Sequence, residues 1–109
     1  MKILQKRKND MRSFHNEQTE NLYRAILLLK DEAECRSFFE DICTVKELQD
    51  ISQRIEVAIM LDQGKSYNEI CEKTGASTAT ISRVNKCLVY GGGGYETVLS
   101  RLAPEAEEN

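Results

Sequence analysis

Apolar residues recur every three to four positions along most of this chain of 109 residues, which is the spacing of amphipathic helices. Two such stripes come first, one over residues 16–30 with Leu22, Ile26 and Leu29, and one over residues 31–43. Strand signals are lacking, because β-branched residues are scattered and an alternation of apolar and polar positions never persists. The pattern predicts an all-α fold of about six helices.

Capping boxes at residues 44–47 and 66–69 mark the starts of two helices. In each, a Thr or Ser hydroxyl and a Glu carboxylate three residues later accept hydrogen bonds from backbone N–H groups that the helix leaves unpaired. The first box opens a long helix that is predicted to reach about Asp62 and to end at Gly64, because glycine adopts the left-handed conformation of a helix end without steric cost. The residues predicted to face inward from this helix are Leu48, Ile51, Ile55, Ala58 and Ile59.

The second box begins a helix-turn-helix pattern over residues 66–88. A short helix leads to Gly75, whose freedom to adopt positive φ suits a sharp turn, and a second helix begins after Ser77 and runs to about Leu88. Cys71 is the small residue expected where the second helix crosses the first. Every position predicted to face inward is apolar: Ile70, Ala76, Ile81 and Val84. This agreement favours a helix-turn-helix over an ordinary corner between two helices with a polar surface.

The remaining face of the second helix carries short hydroxyls and methyls near its start and basic residues further along. Ser and Thr hydroxyls can bond base edges or phosphates, and Ala and Thr methyls can contact the thymine methyl. Recognition helices contact bases mainly through their N-terminal residues, where backbone N–H groups and the helix dipole also favour phosphate. We therefore predict DNA contacts from Ser66, Asn68, Ser77, Thr78, Ala79, Thr80, Ser82, Arg83 and Lys86.

The distribution of charge changes the meaning of the formal net charge of −3, which by itself argues mildly against nucleic acid. Residues 1–12 hold five cationic side chains and one anionic, and residues 65–89 hold four cationic and two anionic. The acidic excess lies in residues 96–109, which hold four carboxylates and one arginine. The predicted partner is therefore double-stranded DNA, with residues 1–12 either contacting it or remaining a solvated terminus. The net charge leaves a second interpretation open, in which the helix-turn-helix binds a protein instead of DNA.

The chain is predicted to hold one helical domain, residues 16–102, between a basic, flexible arm of residues 1–15 and an acidic, disordered tail of residues 103–109. The four cysteines lack the C-x-x-C spacing of zinc sites and His15 is the sole histidine, so neither a metal site nor a disulfide framework is predicted. Catalysis is not expected, because no nucleophile or metal site is evident and the glycines at 91–94 lack the preceding strand of a phosphate-binding loop. Without a signal sequence or an apolar run long enough to cross a membrane, the chain is predicted to be cytoplasmic.

Three segments, residues 52–56 (SQRIE), 63–64 (QG) and 75–83 (GASTATISR), resemble the tryptophan repressor, and the whole chain is more similar still to the YerC/YecD group of Trp-repressor-like bacterial proteins. The resemblance covers roughly residues 16–102, and residues 79–83 are its most specific part. It implies an intertwined homodimer that presents two reading heads to successive major grooves. It also implies a transcriptional regulator, usually a repressor, and a palindromic operator whose half-sites lie about one helical turn, roughly 34 Å, apart.

The resemblance also raises the question of tryptophan as an effector. The positions that match the repressor's indole site hold Thr44, Arg54 and Arg83, which keeps its threonine and both arginines. Val84 replaces a glycine that faces the indole, and Cys87 replaces a serine near the amino end of the ligand, which exchanges a good hydrogen-bonding group for a weak one. We expect a filled pocket and a protein that needs neither tryptophan nor another cofactor. The two arginines would then form salt bridges across the dimer or contact phosphates.

Overall fold

The structure, a computed structural model, describes residues 16–108 and the side chains of residues 16–102; the predicted basic arm of residues 1–15 lies outside this part. The described residues form six α-helices and no strand, which confirms the all-α prediction. The helices are α1 (Glu17–Leu27), α2 (Glu32–Ile42), α3 (Val45–Asp62), α4 (Tyr67–Thr74), α5 (Thr78–Tyr90) and α6 (Gly94–Glu108). They belong to two compact units, one that ends at Val45 and one that begins at Lys46.

Side chains cap both helices of the first unit at their N-termini. Asn16 and Thr19 form a reciprocal capping box on α1, in which the Thr19 N–H donates to Asn16 Oδ1 at 2.8 Å. Asp31 caps α2 by accepting from the Glu34 N–H at 2.9 Å. These caps pair backbone donors that the first turn of a helix otherwise leaves free. Neither helix contains a buried residue, and apolar side chains of both are exposed, with Leu27 at 82%.

The hydrophobic core described by the structure lies in the second unit, where α3, α4, α5, α6 and the turn before α5 all contribute to it. Val57, Ile70 and Ile81 are fully buried, one each from α3, α4 and α5. Among the side chains of residues 16–102, the buried hydrophobic set is Val57, Ala58, Met60, Ile70, Ala76, Ile81, Val84 and Leu99. Burial of a large aliphatic side chain is worth roughly 1.5–3 kcal/mol, so this cluster holds α4 and α5 against α3.

The buried face of α3 differs from the predicted one. Ala58 is buried as predicted, but Ile51 is 40% exposed, and Val57 and Met60 are buried although the sequence pattern did not select them. The other predicted positions are half-buried: Leu48, Ile55 and Ile59. At 3.6 residues per turn, Val57 points almost opposite to Ile55. α3 therefore has two apolar faces, and the longer one, which dominates the sequence pattern, is not the one that forms this core.

The last two helices extend past their predicted ends. α5 continues to Tyr90 instead of ending at Leu88. α6 continues to Glu108, so residues 103–108, which were predicted to be a disordered tail, are helical in the structure. These residues are mostly alanine and glutamate, which are strong helix formers, and Pro104 is the one member of the segment that disfavours a helix.

Candidate nucleic-acid interface

α4 begins with the capping box that the sequence predicts. The Glu69 N–H donates to Ser66 Oγ at 3.2 Å, and the Ser66 N–H donates to a Glu69 carboxylate oxygen at 2.9 Å. The hydrogen bonds from Ser66, with a smaller effect of the Lys65 ammonium, favour the ionised carboxylate and lower the pKa of Glu69. The predicted box is confirmed, and it uses the hydroxyl of Ser66 to start the helix.

The turn between α4 and α5 is held by hydrogen bonds on both sides of Gly75. Gly75 has a φ of 76°, and its N–H donates to the Cys71 carbonyl at 2.9 Å, which confirms the predicted left-handed turn residue. The Thr74 hydroxyl donates to the Ile70 carbonyl at 2.7 Å and accepts from the Ala76 N–H at 3.1 Å. The path of the chain from α4 into α5 is therefore fixed by a side chain as well as by the backbone.

α5 packs against α4 through the four positions that were predicted to face inward. Ile70 and Ile81 are fully buried, Val84 is 2% exposed and Ala76 is 4% exposed. Cys71 is half-buried and packs against this cluster, in keeping with a small residue where two helices cross. Because the buried residues of α5 lie on one side of the helix, they determine which residues face solvent.

The opposite side of α5 is a surface that we call the outer face of α5. It is formed by five exposed residues: Thr78, Ala79, Ser82, Arg83 and Lys86. Residues four positions apart are neighbours on a helix surface. Thr78, Ser82 and Lys86 therefore form one row, and Ala79 and Arg83 form a second row beside it. Within the described part of the chain, none of these five side chains has a hydrogen bond or an ion pair.

Four other residues that were predicted to contact DNA lie outside this surface. Ser77 caps α5: its hydroxyl accepts from the Thr80 N–H at 3.1 Å and donates to the Thr80 hydroxyl at 3.2 Å. Thr80 is half-buried, whereas Ser66 and Asn68 are exposed at the start of α4. The structure thus gives Ser66, Ser77 and Thr80 a part in starting helices. For Thr80 this part was not predicted, because the sequence analysis expected only a contact with DNA.

The residues that match the repressor's indole site belong to both units. Thr44 lies in the first unit, and Arg54 and Arg83 lie in the second, where both are exposed. Val84, which replaces a glycine of the repressor, has its side chain in the hydrophobic core of the second unit.

Tyr95, in the first turn of α6, is a residue of this region that the sequence analysis did not select. Its side chain is half-buried and packs against the core. Burial raises the pKa of the Tyr95 hydroxyl, the nearby Cys87 thiol raises it further, and the Arg54 guanidinium opposes both effects. Tyr95 therefore lies within electrostatic range of one residue of α3 and one of α5. The signal in the sequence was its place directly after the four consecutive glycines at 91–94.

The part of the chain that the structure describes shows neither a metal-binding cluster nor a membrane-spanning helix. Among its side chains, no three His, Cys, Asp or Glu residues come together in a group that could hold a metal ion. All four cysteines are free thiols. No helix of residues 16–108 combines the length and the apolar composition that a membrane span needs.

Comparisons with known proteins agree on one family. The family model for the Trp repressor protein matches residues 17–103. The uncharacterised protein YerC of Bacillus subtilis is 50% identical over 90 residues, which cover 83% of this chain and 86% of that protein. The crystal structure of a TrpR-like protein from Eubacterium eligens is 55% identical with a TM-score of 0.77, over 81% of this chain and 91% of that one. The crystal structure of a candidate Trp repressor from Staphylococcus aureus is 45% identical with a TM-score of 0.78, over 82% of this chain and 89% of that one.

Proposed function

The chain belongs to the Trp repressor family, and on this basis we propose that it is a DNA-binding transcriptional repressor of the cytoplasm, and not an enzyme. A homodimer presents the outer face of α5 from each protomer to the major groove of a palindromic operator. Half-sites one helical turn apart, about 34 Å, place both helices on the same side of the duplex. The observation that carries the proposal is the outer face of α5, which is exposed and has no hydrogen-bond or ion-pair partner among the side chains of residues 16–102, opposite a core that fixes the helix.

The residue types on the outer face of α5 suit a DNA duplex. Arg83 can donate two hydrogen bonds to a guanine edge or can contact a phosphate, and Ser82 can bond either group. Lys86 adds a cation that favours the phosphate backbone. α5 contains no acidic residue, so no side chain of this helix repels phosphate.

Homodimer formation is proposed from the apolar surface that a single chain leaves exposed. α1 and α2 contain no buried residue, and Leu27 and Leu28 are 82% and 75% exposed. The second apolar face of α3 includes Ile51, at 40%. Exposed leucines of this kind gain roughly 1.5–3 kcal/mol each on full burial. A domain of about 100 residues buries a limited share of its surface and is marginally stable alone, so burying these side chains against a partner would stabilise it. The resemblance implies that this partner is a second copy of the chain.

We also propose that the protein binds its operator without tryptophan. The proposal rests on two replacements that the resemblance gives: Val84 replaces a glycine that faces the indole, and the Cys87 thiol is a weaker hydrogen-bonding group than the serine it replaces. Titration calorimetry with tryptophan should show no binding in the micromolar range. A micromolar dissociation constant would contradict this part of the proposal, and DNA binding would then be measured with tryptophan present.

Selection from a random duplex library tests the central proposal. The intact protein is expected to enrich a palindrome with two half-sites. Arg83→Ala should weaken binding to that palindrome by roughly 1–3 kcal/mol per base contact, or relax the base preference at one position. Arg101→Ala is the matched control, because it removes one exposed cation from α6 and leaves the outer face of α5 intact.

Two results of this selection would contradict the proposal. The first is no enrichment at low salt, with or without tryptophan, which would favour the alternative that the helix-turn-helix binds a protein. The second is an equal loss of affinity in Arg83→Ala and Arg101→Ala, because affinity would then follow net charge and not the outer face of α5.

Sedimentation equilibrium tests the dimer. The expected mass is twice the chain mass of 12.4 kDa. Leu27→Glu places a charge on the exposed apolar side of α1 and should shift the protein toward monomer at equal concentration. Gln18→Glu adds the same charge at an exposed polar position of α1 and should leave the dimer intact. A wild-type protein that sediments as a monomer at the concentrations that bind DNA would contradict the dimer.

A further inference from the structure

We propose that the first turn of α5 recognises thymine, with the methyl groups of Thr78 and Ala79 packing against the 5-methyl groups of thymines in the operator. This inference rests on the proposed function, because it needs the outer face of α5 to enter the major groove. It specifies which chemical group of a base the start of α5 contacts. It also distinguishes the residues that make this contact from the residues that cap the helix.

Hydrogen bonds within the chain engage the hydroxyl groups beside the outer face of α5. The Ser77 hydroxyl donates to the Thr80 hydroxyl oxygen at 3.2 Å and accepts from the Thr80 N–H at 3.1 Å. A serine hydroxyl has a single proton to donate, so Ser77 has none left for a base while it donates to the Thr80 hydroxyl. Thr80 is half-buried and shares this cap. The proton of the Ser77 hydroxyl is therefore engaged within the start of α5, and the Thr80 side chain that accepts it does not lie on the outer face of α5.

Thr78 and Ala79 are the residues of the first turn that remain on the outer face of α5. Neither has the two hydrogen-bonding groups by which Arg, Asn or Gln identifies a base in the major groove. Ala79 offers one methyl group, and Thr78 offers a methyl and a single hydroxyl. The thymine 5-methyl is the apolar group that a base edge presents in the major groove. Apolar contact with thymine is therefore the selective interaction that this turn is equipped to make.

The lengths of the side chains divide the outer face of α5 into two parts. Thr78 and Ala79 are short, so they reach a base only if the start of the helix lies close to the floor of the groove. Arg83 lies four positions after Ala79 in the same row, and its longer side chain reaches a guanine edge or a phosphate from further away. The start of α5 thus recognises bases by apolar contact, and the following turns contact bases or phosphates through polar groups.

A change in the DNA removes the proposed contact without changing the protein. In the operator obtained by selection, each thymine is replaced in turn by deoxyuridine, which lacks the 5-methyl and keeps every hydrogen-bonding group. At a contacted position the wild-type protein should bind about fourfold more weakly, the effect of one buried methyl group. Symmetric replacement in both half-sites should weaken binding about fifteenfold.

The same DNA series measured with protein variants assigns each methyl contact to a residue. For every variant, the ratio of its affinities for thymine and uracil DNA cancels any effect of the substitution on folding. Ala79→Gly should bind thymine DNA and uracil DNA with equal affinity at the one operator position that Ala79 contacts. Thr78→Ser, which loses a methyl and keeps the hydroxyl, should do so at a neighbouring position. Ser82→Ala, one turn further along the outer face, is the control and should retain the fourfold ratio at both.

The outcomes separate this inference from the proposed function. If the protein enriches an operator and no thymine responds to deoxyuridine, the thymine contact is overturned and DNA binding stands. The contact is also overturned if the fourfold ratio persists in both Ala79→Gly and Thr78→Ser. If no operator is enriched, the proposed function fails and the thymine contact fails with it.

Discussion

The side-chain amide of Gln53 donates a hydrogen bond of 3.1 Å to the backbone carbonyl of Thr74. Gln53 lies on α3, and Thr74 is the last residue of α4, directly before Gly75. The last carbonyls of a helix have no partner within the helix. This hydrogen bond supplies one of them with a donor, and it joins the turn between α4 and α5 to α3.

Replacing Gln53 with alanine should lower the thermal stability of the protein. The variant leaves a partly buried carbonyl without its donor, which costs about 1 kcal/mol and lowers Tm by about 4 °C. Gln49→Ala is the matched control, because Gln49 is exposed one turn earlier on α3. Both variants are melted at the same protein concentration, since the Tm of a dimer depends on concentration. Equal Tm values for the two would show that the Gln53 hydrogen bond does not stabilise the turn.

Replacing Gly75 with alanine should destabilise the turn through its backbone alone. The φ of Gly75 is 76°, a region that costs L-residues roughly 1–2 kcal/mol. A Cβ at this position would meet no atom within 4 Å, so no steric clash adds to the cost. Gly92→Ala is the control, because its Cβ also meets no atom and its φ is not positive. In urea unfolding, Gly75→Ala should lose stability and Gly92→Ala should not; equal losses would contradict a conformational requirement at Gly75.

The turn between α4 and α5 was predictable because its signals are local. Ser66 and Glu69 lie three residues apart, and Gly75 has the backbone freedom that the turn uses. The buried residues Ile81 and Val84 follow from helix periodicity counted from the turn. Each of these features depends on a few neighbouring residues, so sequence spacing was sufficient to identify them.

The features that the sequence did not reveal depend on contacts between distant segments. The buried face of α3, with Val57 and Met60, is selected by the helices that pack on it, and α3 has a second and longer apolar face. The bond between Gln53 and Thr74 joins residues that no local pattern relates. Tyr95 shows the same limit, because its environment comes from two other helices.

The contribution of Glu69 to stability should disappear in acid. Hydrogen bonds from Ser66, with a smaller effect of Lys65, hold the pKa of this carboxyl below its ordinary value of 4.5. A carboxyl with a lower pKa in the folded than in the unfolded chain stabilises the fold above the unfolded pKa, and this contribution is lost as the pH falls through the folded pKa. The Tm of the wild type should therefore exceed that of Glu69→Ala at neutral pH, and the excess should shrink as the pH falls below 4.5.

Glu69→Gln is the control for this pH dependence. Glutamine keeps a hydrogen-bond acceptor for the capping box but has no proton to gain. Its Tm excess over Glu69→Ala should stay constant over the same pH range. A wild-type excess that also stays constant into strong acid would show that ionisation of Glu69 does not contribute to stability.

Ionisation of Tyr95 should limit stability at alkaline pH. Burial, with an added effect of Cys87 and against the opposing effect of Arg54, raises the pKa of Tyr95 above its ordinary value of 10.0. The unfolded chain therefore loses this proton more readily than the folded one. The stability that this difference contributes is fully present below the unfolded pKa and is lost as the pH rises through the folded pKa.

Tyr95→Phe removes the ionisable hydroxyl and keeps the half-buried ring. Its Tm should be close to that of the wild type near neutral pH and should become higher than that of the wild type above pH 10.0, where the wild type pays the cost of ionising a half-buried phenol. Tyr23→Phe, at an exposed tyrosine of α1, controls for the loss of a hydroxyl as such. Melting curves of the three proteins across alkaline pH decide the matter: a Tm difference between Tyr95→Phe and the wild type that does not change with pH would mean that the phenol ionises as readily in the folded protein as in the unfolded chain.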